Sequence, residues 1–248
     1  LSHHRSSTAH PGTLTSARVS AANDISDAEE ALPAAFVRWF AARGWAPRRH
    51  QLDLLAKARA RRSALLIAPT GAGKTLAGFL PTLVELAGGS TRGRLSSTGY
   101  GVSRGGLHTL YISPLKALAV DIARNLEAPI AEMALPVKVE TRTGDTPVSR
   151  RQRQRKYPPD ILLTTPEQLA LLLSSDDAPF LFASLRRVVL DELHALVTSK
   201  RGDLLALGLA RLFMLAPELT TIGLSATVAE PDALRRYLVP QSPASATM

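Results

Sequence analysis

Cysteine is absent from the 248 residues, which excludes disulfides and thiolate metal sites from any account of the fold. The absence fits the reducing cytoplasm. Long apolar runs are missing too. None reaches the ~18–20 residues that a membrane-spanning helix requires, and the richest stretch, residues 204–215, is broken by Arg211 and reads as a buried helix. The N-terminus, LSHHRSSTAHPG, lacks the apolar segment of a secretory signal. It begins with Leu rather than Met, which suggests a fragment or a processed start. Acidic residues are in short supply, 21 against 30 Lys and Arg, for a formal charge of +9 and a pI near 10.4. That balance favours a polyanionic partner, although a proteome rich in Arg accounts for it equally well.

What remains is ordinary for a chain able to bury a sizeable core: 45% hydrophobic and 21% charged. Residues 1–31 carry Ser, Thr, Ala and His without apolar period, and read as a disordered tail. From Leu32 the pattern changes. Phe36, Val37, Trp39 and Phe40 mark a short amphipathic helix closed by Gly44, and a second helix spans about 49–60. Short apolar strands are then expected at 64–68, 109–113, 137–141, 161–165, 187–190 and 221–225. Helices at 74–86, 115–135, 148–156, 167–173, 203–215 and 231–237 separate or follow them. This alternation predicts one α/β domain over 32–240, a parallel sheet covered by helices on both faces. Residues 88–106, dense in Gly, Ser, Thr and Arg, read as a surface loop, and 241–248 as a low-complexity tail.

The chemistry begins directly after the first expected strand. Ala68-Pro69-Thr70-Gly71-Ala72-Gly73-Lys74-Thr75 leads from that strand into a helix, the context a phosphate-binding loop requires. Gly71 and Gly73 allow successive backbone N–H groups to turn inward on phosphate oxygens, and the helix start adds its positive dipole end. Lys74 reaches the β- and γ-phosphates, and the Thr75 hydroxyl serves Mg²⁺. The strict pattern has Gly where Ala68 stands. A second acidic motif is expected at the end of another strand of the same sheet. Arg186-Arg187-Val-Val-Leu-Asp191-Glu192-Leu-His194 supplies it. Asp191 is expected to hold Mg²⁺ through water, and Glu192 to orient and deprotonate the attacking water. His194 reads as a link from this site to another strand end.

With these motifs in place, residues 45–240 resemble the first motor lobe of superfamily 2 DExH-box helicases. The resemblance is nearest to the large helicase-related (Lhr-type) group, in particular the bacterial ligase-associated DNA-repair helicases. An alanine in place of the first loop glycine is typical of helicases. Trp45-Ala-Pro-Arg-Arg-His-Gln51 is similar to the Q-motif, which implies that Gln51 reads adenine through its amide. Ser113-Pro114-Leu-Lys116-Ala-Leu118 resembles motif Ia, Arg142-Thr-Gly144-Asp-Thr146 a backbone-gripping segment, and Thr164-Thr165-Pro166-Glu167 motif Ib. Ser225-Ala226-Thr227 resembles motif III. The resemblance implies a RecA-like P-loop NTPase fold, with ATP and Mg²⁺ as cofactors. It also implies that Pro114, Lys116, Gly144, Thr165 and Pro166 lie along one nucleic-acid strand. Ser225 and Thr227 would couple nucleotide state to domain closure.

The run Arg150, Arg151, Arg153, Arg155 and Lys156 is either a solvated face or an addition to that track, with Arg151 and Arg153 on phosphates. The arginines that complete such ATPase sites come from a second lobe, which these residues do not include. The expected function is therefore one lobe of an ATP-dependent, cytoplasmic DNA helicase or translocase, placed in DNA repair by the resemblance alone. Single-stranded DNA is favoured over RNA as its partner, with no membrane involved. The alternatives are the lobe of an RNA helicase or of another superfamily 2 translocase, or a non-catalytic nucleic-acid-binding module.

Overall fold

The central strands are buried on both faces, as a parallel sheet covered by helices requires, while the two edge strands alternate buried with partly exposed residues. The computed structural model describes residues 31–88, 106–226, 228 and 230–239. The expected tails, the loop after Gly88 and Thr227 lie outside the described residues. Among the described residues six parallel strands form one sheet: β1 (Ala64–Ile67), β2 (Thr109–Ile112), β3 (Val139–Arg142), β4 (Ile161–Thr164), β5 (Arg187–Leu190) and β6 (Thr220–Ser225). Their spatial order is β1-β6-β5-β2-β4-β3.

Two helices, α1 (Ala34–Ala42) and α2 (Arg49–Arg59), precede the sheet. The connections are α3 (Lys74–Ala87), α4 (Lys116–Glu132), α5 (Val148–Lys156), α6 (Pro166–Leu173), α7 (Ala178–Phe182), α8 (Leu193–Val197) and α9 (Lys200–Leu215). The last helix is α10 (Pro231–Leu238). The five-residue α7 and α8 were not expected. Little more than one turn leaves no amphipathic period to detect.

Chain path explains how the helices are shared between the faces. From β1 to β2 to β3 the chain crosses to the far edge of the sheet, and from β3 onward it returns toward β1. Right-handed crossovers place the helices of the outward leg on one face and those of the return leg on the other. The cores follow this division. Leu80 and Leu83 of α3 and Ile122 and Leu126 of α4 join Phe36 and Leu55 against Tyr111, Leu163, Val189 and Leu224. On the opposite face Leu169, Leu172, Leu205 and Leu209 pack on Leu110, Leu162, Val188 and Leu190. Adjacent strand residues thus alternate between the two cores.

At the N-terminal end of the sheet lies a buried ionic cluster. Arg187, 2% exposed, donates to Glu85 Oε1 at 2.7 Å and to Thr82 Oγ1 at 3.1 Å. His108 Nε2 lies 3.1 Å from the other Glu85 oxygen. Burial works against the Glu85 carboxylate, but the hydrogen bonds from His108 and Arg187 and the Arg187 charge overcome it, and its pKa falls to about 2.

Candidate nucleotide site and nucleic-acid edge

Parallel strands present all their C-terminal ends at one edge, where open α/β sheets bind their ligands. Along this edge the strand order sorts the candidate residues into two groups. The loop after β1, the end of β6 and the end of β5 bring Lys74, Ser225, Asp191 and Glu192 into one half. The ends of β2, β4 and β3 bring Pro114 and Lys116, Thr165 and Pro166, and Gly144 into the other. With strands ~4.8 Å apart, the two extreme strands of the six stand about 24 Å from each other.

The phosphate loop has the backbone its glycines suggested. Gly71 and Gly73 hold φ of +80° and +74°, values that strain any residue with a Cβ. Gly73 caps α3, which is how the loop's N–H groups and the helix dipole come to share one concavity. Lys74 is buried, and its ammonium donates to the carbonyls of Ala68 (2.8 Å) and Pro69 (3.2 Å) across the loop. Phosphate oxygens are stronger acceptors than these carbonyls and would take the ammonium from them. Thr70 is exposed on the loop and Thr75 half-buried at the helix start, while the Ala72 N–H closes a turn onto Pro69.

Gln51 lies against this loop from α2. Its side-chain oxygen accepts from the Arg48 backbone N–H at 2.9 Å, and its Nε2 donates to the Gly73 carbonyl at 3.5 Å. The amide expected to read adenine thus ties the start of α2 to the phosphate loop. A Cβ on Gly73 would stand 3.2 Å from Gln51 Nε2, so the glycine also permits that approach. Arg48, which sequence reasoning did not single out, donates to the Gly71 carbonyl at 3.4 Å. It lay within the Pro-Arg-Arg-His-Gln string, but nothing in the string separates it from Arg49.

The acidic pair follows β5 directly. Asp191 is buried, and its Oδ1 accepts the Glu192 backbone N–H at 3.0 Å. Burial, reinforced by the Glu192 charge, raises its pKa. Glu192 adopts left-handed φ and ψ of 47° and 45° at the start of α8. A residue with a side chain occupies that region at a cost, and such strain clusters at functional positions. His194 lies near both strand ends. Its Nδ1 stands 3.1 Å from Ser225 Oγ and 3.4 Å from the Ala226 N–H, and its Nε2 3.5 Å from Glu192 Oε2. The end of β6 is thereby joined through one imidazole to the carboxylate after β5.

Mg²⁺ fits the donors present, because the Thr75 hydroxyl and the Asp191 carboxylate are hard oxygens. Both contribute to the environment of a single buried phenol, that of Tyr111. Among the described residues no three His, Cys, Asp or Glu side chains are grouped to hold a metal by themselves. A cation here must therefore take further ligands from nucleotide and water.

The other half of the edge is more open. Lys116 Nζ pairs with Asp145 at 2.7 Å, both exposed, beside a groove of about 260 Å³ lined by Lys116, Ala117, Val120, Asp121, Thr143 and Asp145. Arg201 donates to the Pro114 carbonyl at 2.8 Å and pairs with Glu167 at 2.7 Å, tying the start of α9 to two neighbouring strand ends. Thr165 and Pro166 are buried at the start of α6. Arg151 reaches back to the loop after β3, donating to the carbonyls of Gly144 (2.6 Å) and Thr146 (2.7 Å).

The rest of the basic run is turned elsewhere. Arg153 bonds Glu140 at 2.7 Å, Arg150 and Lys138 lie near the same carboxylate, and Arg155 pairs with Asp177 at 2.5 Å. A nine-residue helix carries the chain ~12 Å away from the edge. The run therefore does not form one patch, and Arg153 is engaged by Glu140 rather than presented beside Gly144.

Residues 48–234 match the DEAD/DEAH box helicase family. The chain belongs to that family. It is 41% identical over 216 residues to the Lhr helicase/probable uracil glycosylase of Mycolicibacterium smegmatis, covering 83% of this chain and 14% of that protein. It is likewise 41% identical over 187 residues to the ATP-dependent helicase Lhr-Core of Methanothermobacter thermautotrophicus, covering 72% of this chain and 21% of the relative. The chain thus spans about a fifth or less of these curated relatives. Among solved structures it resembles Mycobacterium smegmatis helicase Lhr bound to ssDNA and AMP-PNP, with a TM-score of 0.74 and 39% identity over 86% of this chain and 27% of that one. The expected RecA-like helicase fold and the likeness to Lhr-type helicases therefore hold, and the chain carries a DEAD/DEAH box helicase domain by family. No helix among the described residues is long and apolar enough to cross a membrane.

Proposed function

We propose that residues 32–240 form the ATP-binding lobe of a motor that couples ATP hydrolysis to movement along single-stranded DNA, with DNA repair in the cytoplasm as its setting. The observation that carries this reading is the His194 bridge. It brings Glu192, beside the phosphate loop, within 3.5 Å of an imidazole that bonds Ser225 at the end of a different strand, so a change at the phosphates has a route of contacts into the sheet edge. Thr227, outside the described residues, is proposed to extend the same route.

In this mechanism the loop N–H groups and Lys74 neutralise the phosphate oxygens, while Gln51 holds the loop against α2 and offers its amide to adenine. Asp191 and Thr75 would hold the cation side of the site, and Mg²⁺ when bound would neutralise phosphate charge there. Glu192, positioned by its left-handed turn, orients water in line with the γ-phosphate and takes its proton. Pro114, Lys116, Gly144, Thr165 and Pro166 line one strand through backbone groups, small hydroxyls and a single ammonium, which suits phosphates without reading bases. Arg151 supports that track by fixing the Gly144 loop, and Arg153 by fixing α5 on Glu140.

A transition-state arginine has to approach from beyond this edge, and a second lobe of a longer chain is its proposed source. Since that group contributes roughly 10³–10⁵ in rate, these residues alone should hydrolyse ATP near background and separate no strands. Fluorescent ATP-analogue binding, measured with and without single-stranded DNA and RNA of equal length, tests the assignment. DNA should tighten nucleotide binding more than RNA does. Binding of DNA that ignores nucleotide, and is unmoved by Glu192→Gln, would favour a non-catalytic module instead.

A further inference from the structure

Tyr111 stands in the middle of β2 with no exposed surface, its ring stacked on Phe79 of α3 at 4.6 Å and 11° between planes. Phenylalanine would fill the same space. The chain instead carries a hydroxyl there, and that hydroxyl has no hydrogen-bond partner among the described residues. An orphaned buried donor is costly, and its retention calls for an explanation. The groups that act on it are the Asp191 carboxylate first, then Glu192 and the Thr75 hydroxyl, and Tyr111 in turn acts on Asp191. The phenol thus belongs to the strand residue that precedes Ile112, whose carbonyl accepts the Asp191 backbone N–H at 2.9 Å, and its ring lies on the helix that follows the phosphate loop, with no hydrogen bond made to either. A phenol is protonated at neutral pH, so toward a carboxylate it can only donate. Asp191 already accepts the Glu192 N–H on Oδ1 and has acceptor capacity to spare.

We propose that Tyr111 is a positioning residue: when nucleotide and Mg²⁺ are bound, its hydroxyl donates to the Asp191 carboxylate and fixes its orientation toward the cation's hydration shell. This rests on the reading of Thr75 and Asp191 as the cation side of the site. It explains why a polar atom is kept in an otherwise apolar core, and it ties the stacking of α3 on β2 to the geometry of the acidic pair.

The test is Tyr111→Phe, which keeps the stack and removes one oxygen. Binding of a fluorescent ATP analogue is followed in EDTA and then against increasing Mg²⁺, with the melting temperature recorded with and without Mg²⁺ and analogue. The variant should melt at or above the wild-type temperature when unliganded and bind metal-free nucleotide equally well. It should need roughly tenfold more Mg²⁺ for half-saturation and gain less melting temperature from Mg²⁺ and analogue. Added to Asp191→Asn, Tyr111→Phe should change nothing further. Superimposable Mg²⁺ titrations overturn the positioning role alone, as does an additive effect in the double variant. A wild-type chain that binds no nucleotide at any Mg²⁺ concentration overturns the nucleotide reading with it.

Discussion

The two halves of the functional edge are built differently. In the nucleotide half, Lys74 and Asp191 are buried, and Gln51 and His194 each bridge two chain segments. In the half proposed for nucleic acid, Lys116 and Asp145 are exposed, the groove is shallow and open, and Arg151 and Arg201 serve backbone carbonyls of the loops themselves. A triphosphate is small and fixed in shape, so its site specifies both residue type and spacing. A nucleic-acid backbone is long and repetitive, and strand ends with free helix starts hold it without unusual side chains.

The sharpest way to break this comparison is Lys74→Ala. Loss of the charge-assisted contact should weaken nucleotide binding by about 100-fold, while single-stranded DNA affinity without nucleotide stays within about twofold. Equal losses in both titrations would mean that the halves are not separable. Next in size is the opposite end of the sheet. Glu85 has its carboxyl lowered from 4.5 to about 2, so its stabilising contribution is fully present above pH 4.5 and fades as pH falls toward 2. Because Glu85 is partly exposed, about 1–2 kcal/mol is expected. Glu85→Gln should remove that part of the acid dependence in denaturant melts between pH 2 and 4.5, leaving nucleotide affinity at neutral pH unchanged.

Arg151→Ala removes two bonds to the loop after β3 and should cost about 1 kcal/mol of stability, with a matching loss of DNA affinity and no change in nucleotide affinity. The smallest effect belongs to Lys116→Ala, which should shallow the salt dependence of DNA binding by about one counterion. The same measurement on Arg153→Ala distinguishes a phosphate contact from a residue held by Glu140, since the slope moves only in the first case.

Much of this was legible in the sequence, for identifiable reasons. The six strands fall within about two residues of their expected bounds, because apolar runs ending in Pro-Thr-Gly, Ser-Pro, Thr-Pro or Asp-Glu mark both the strand and its end. The phosphate loop and the acidic pair were legible because their spacing is set by the ligand. Tyr111 was not, since an aromatic in a buried strand looks like core until its hydroxyl is placed beside Asp191. Nor was the separate engagement of Arg151, Arg153 and Arg155, which depends on Gly144, Glu140 and Asp177 meeting them in space. Glu192 reads as a plain acid, and only backbone angles show its strained turn.

The placing of β6 has a consequence for how the domain is made. It is the last strand among the described residues, yet it lies between β1 and β5, pairing Ala64 with Ile222 and Leu190 with Gly223. Until residues 220–225 have left the ribosome, β1 has no partner strand among the described residues, and β5 is paired only with β2. The phosphate loop must therefore wait, at the end of an unpaired strand, for a segment more than 140 residues downstream, since Ser63 and Thr221 bond across 158 positions. Closure over such a distance is slow and leaves an open edge to aggregation while it is pending. A nascent chain stalled before Thr220 carries the complete phosphate-loop sequence and no pocket to put it in.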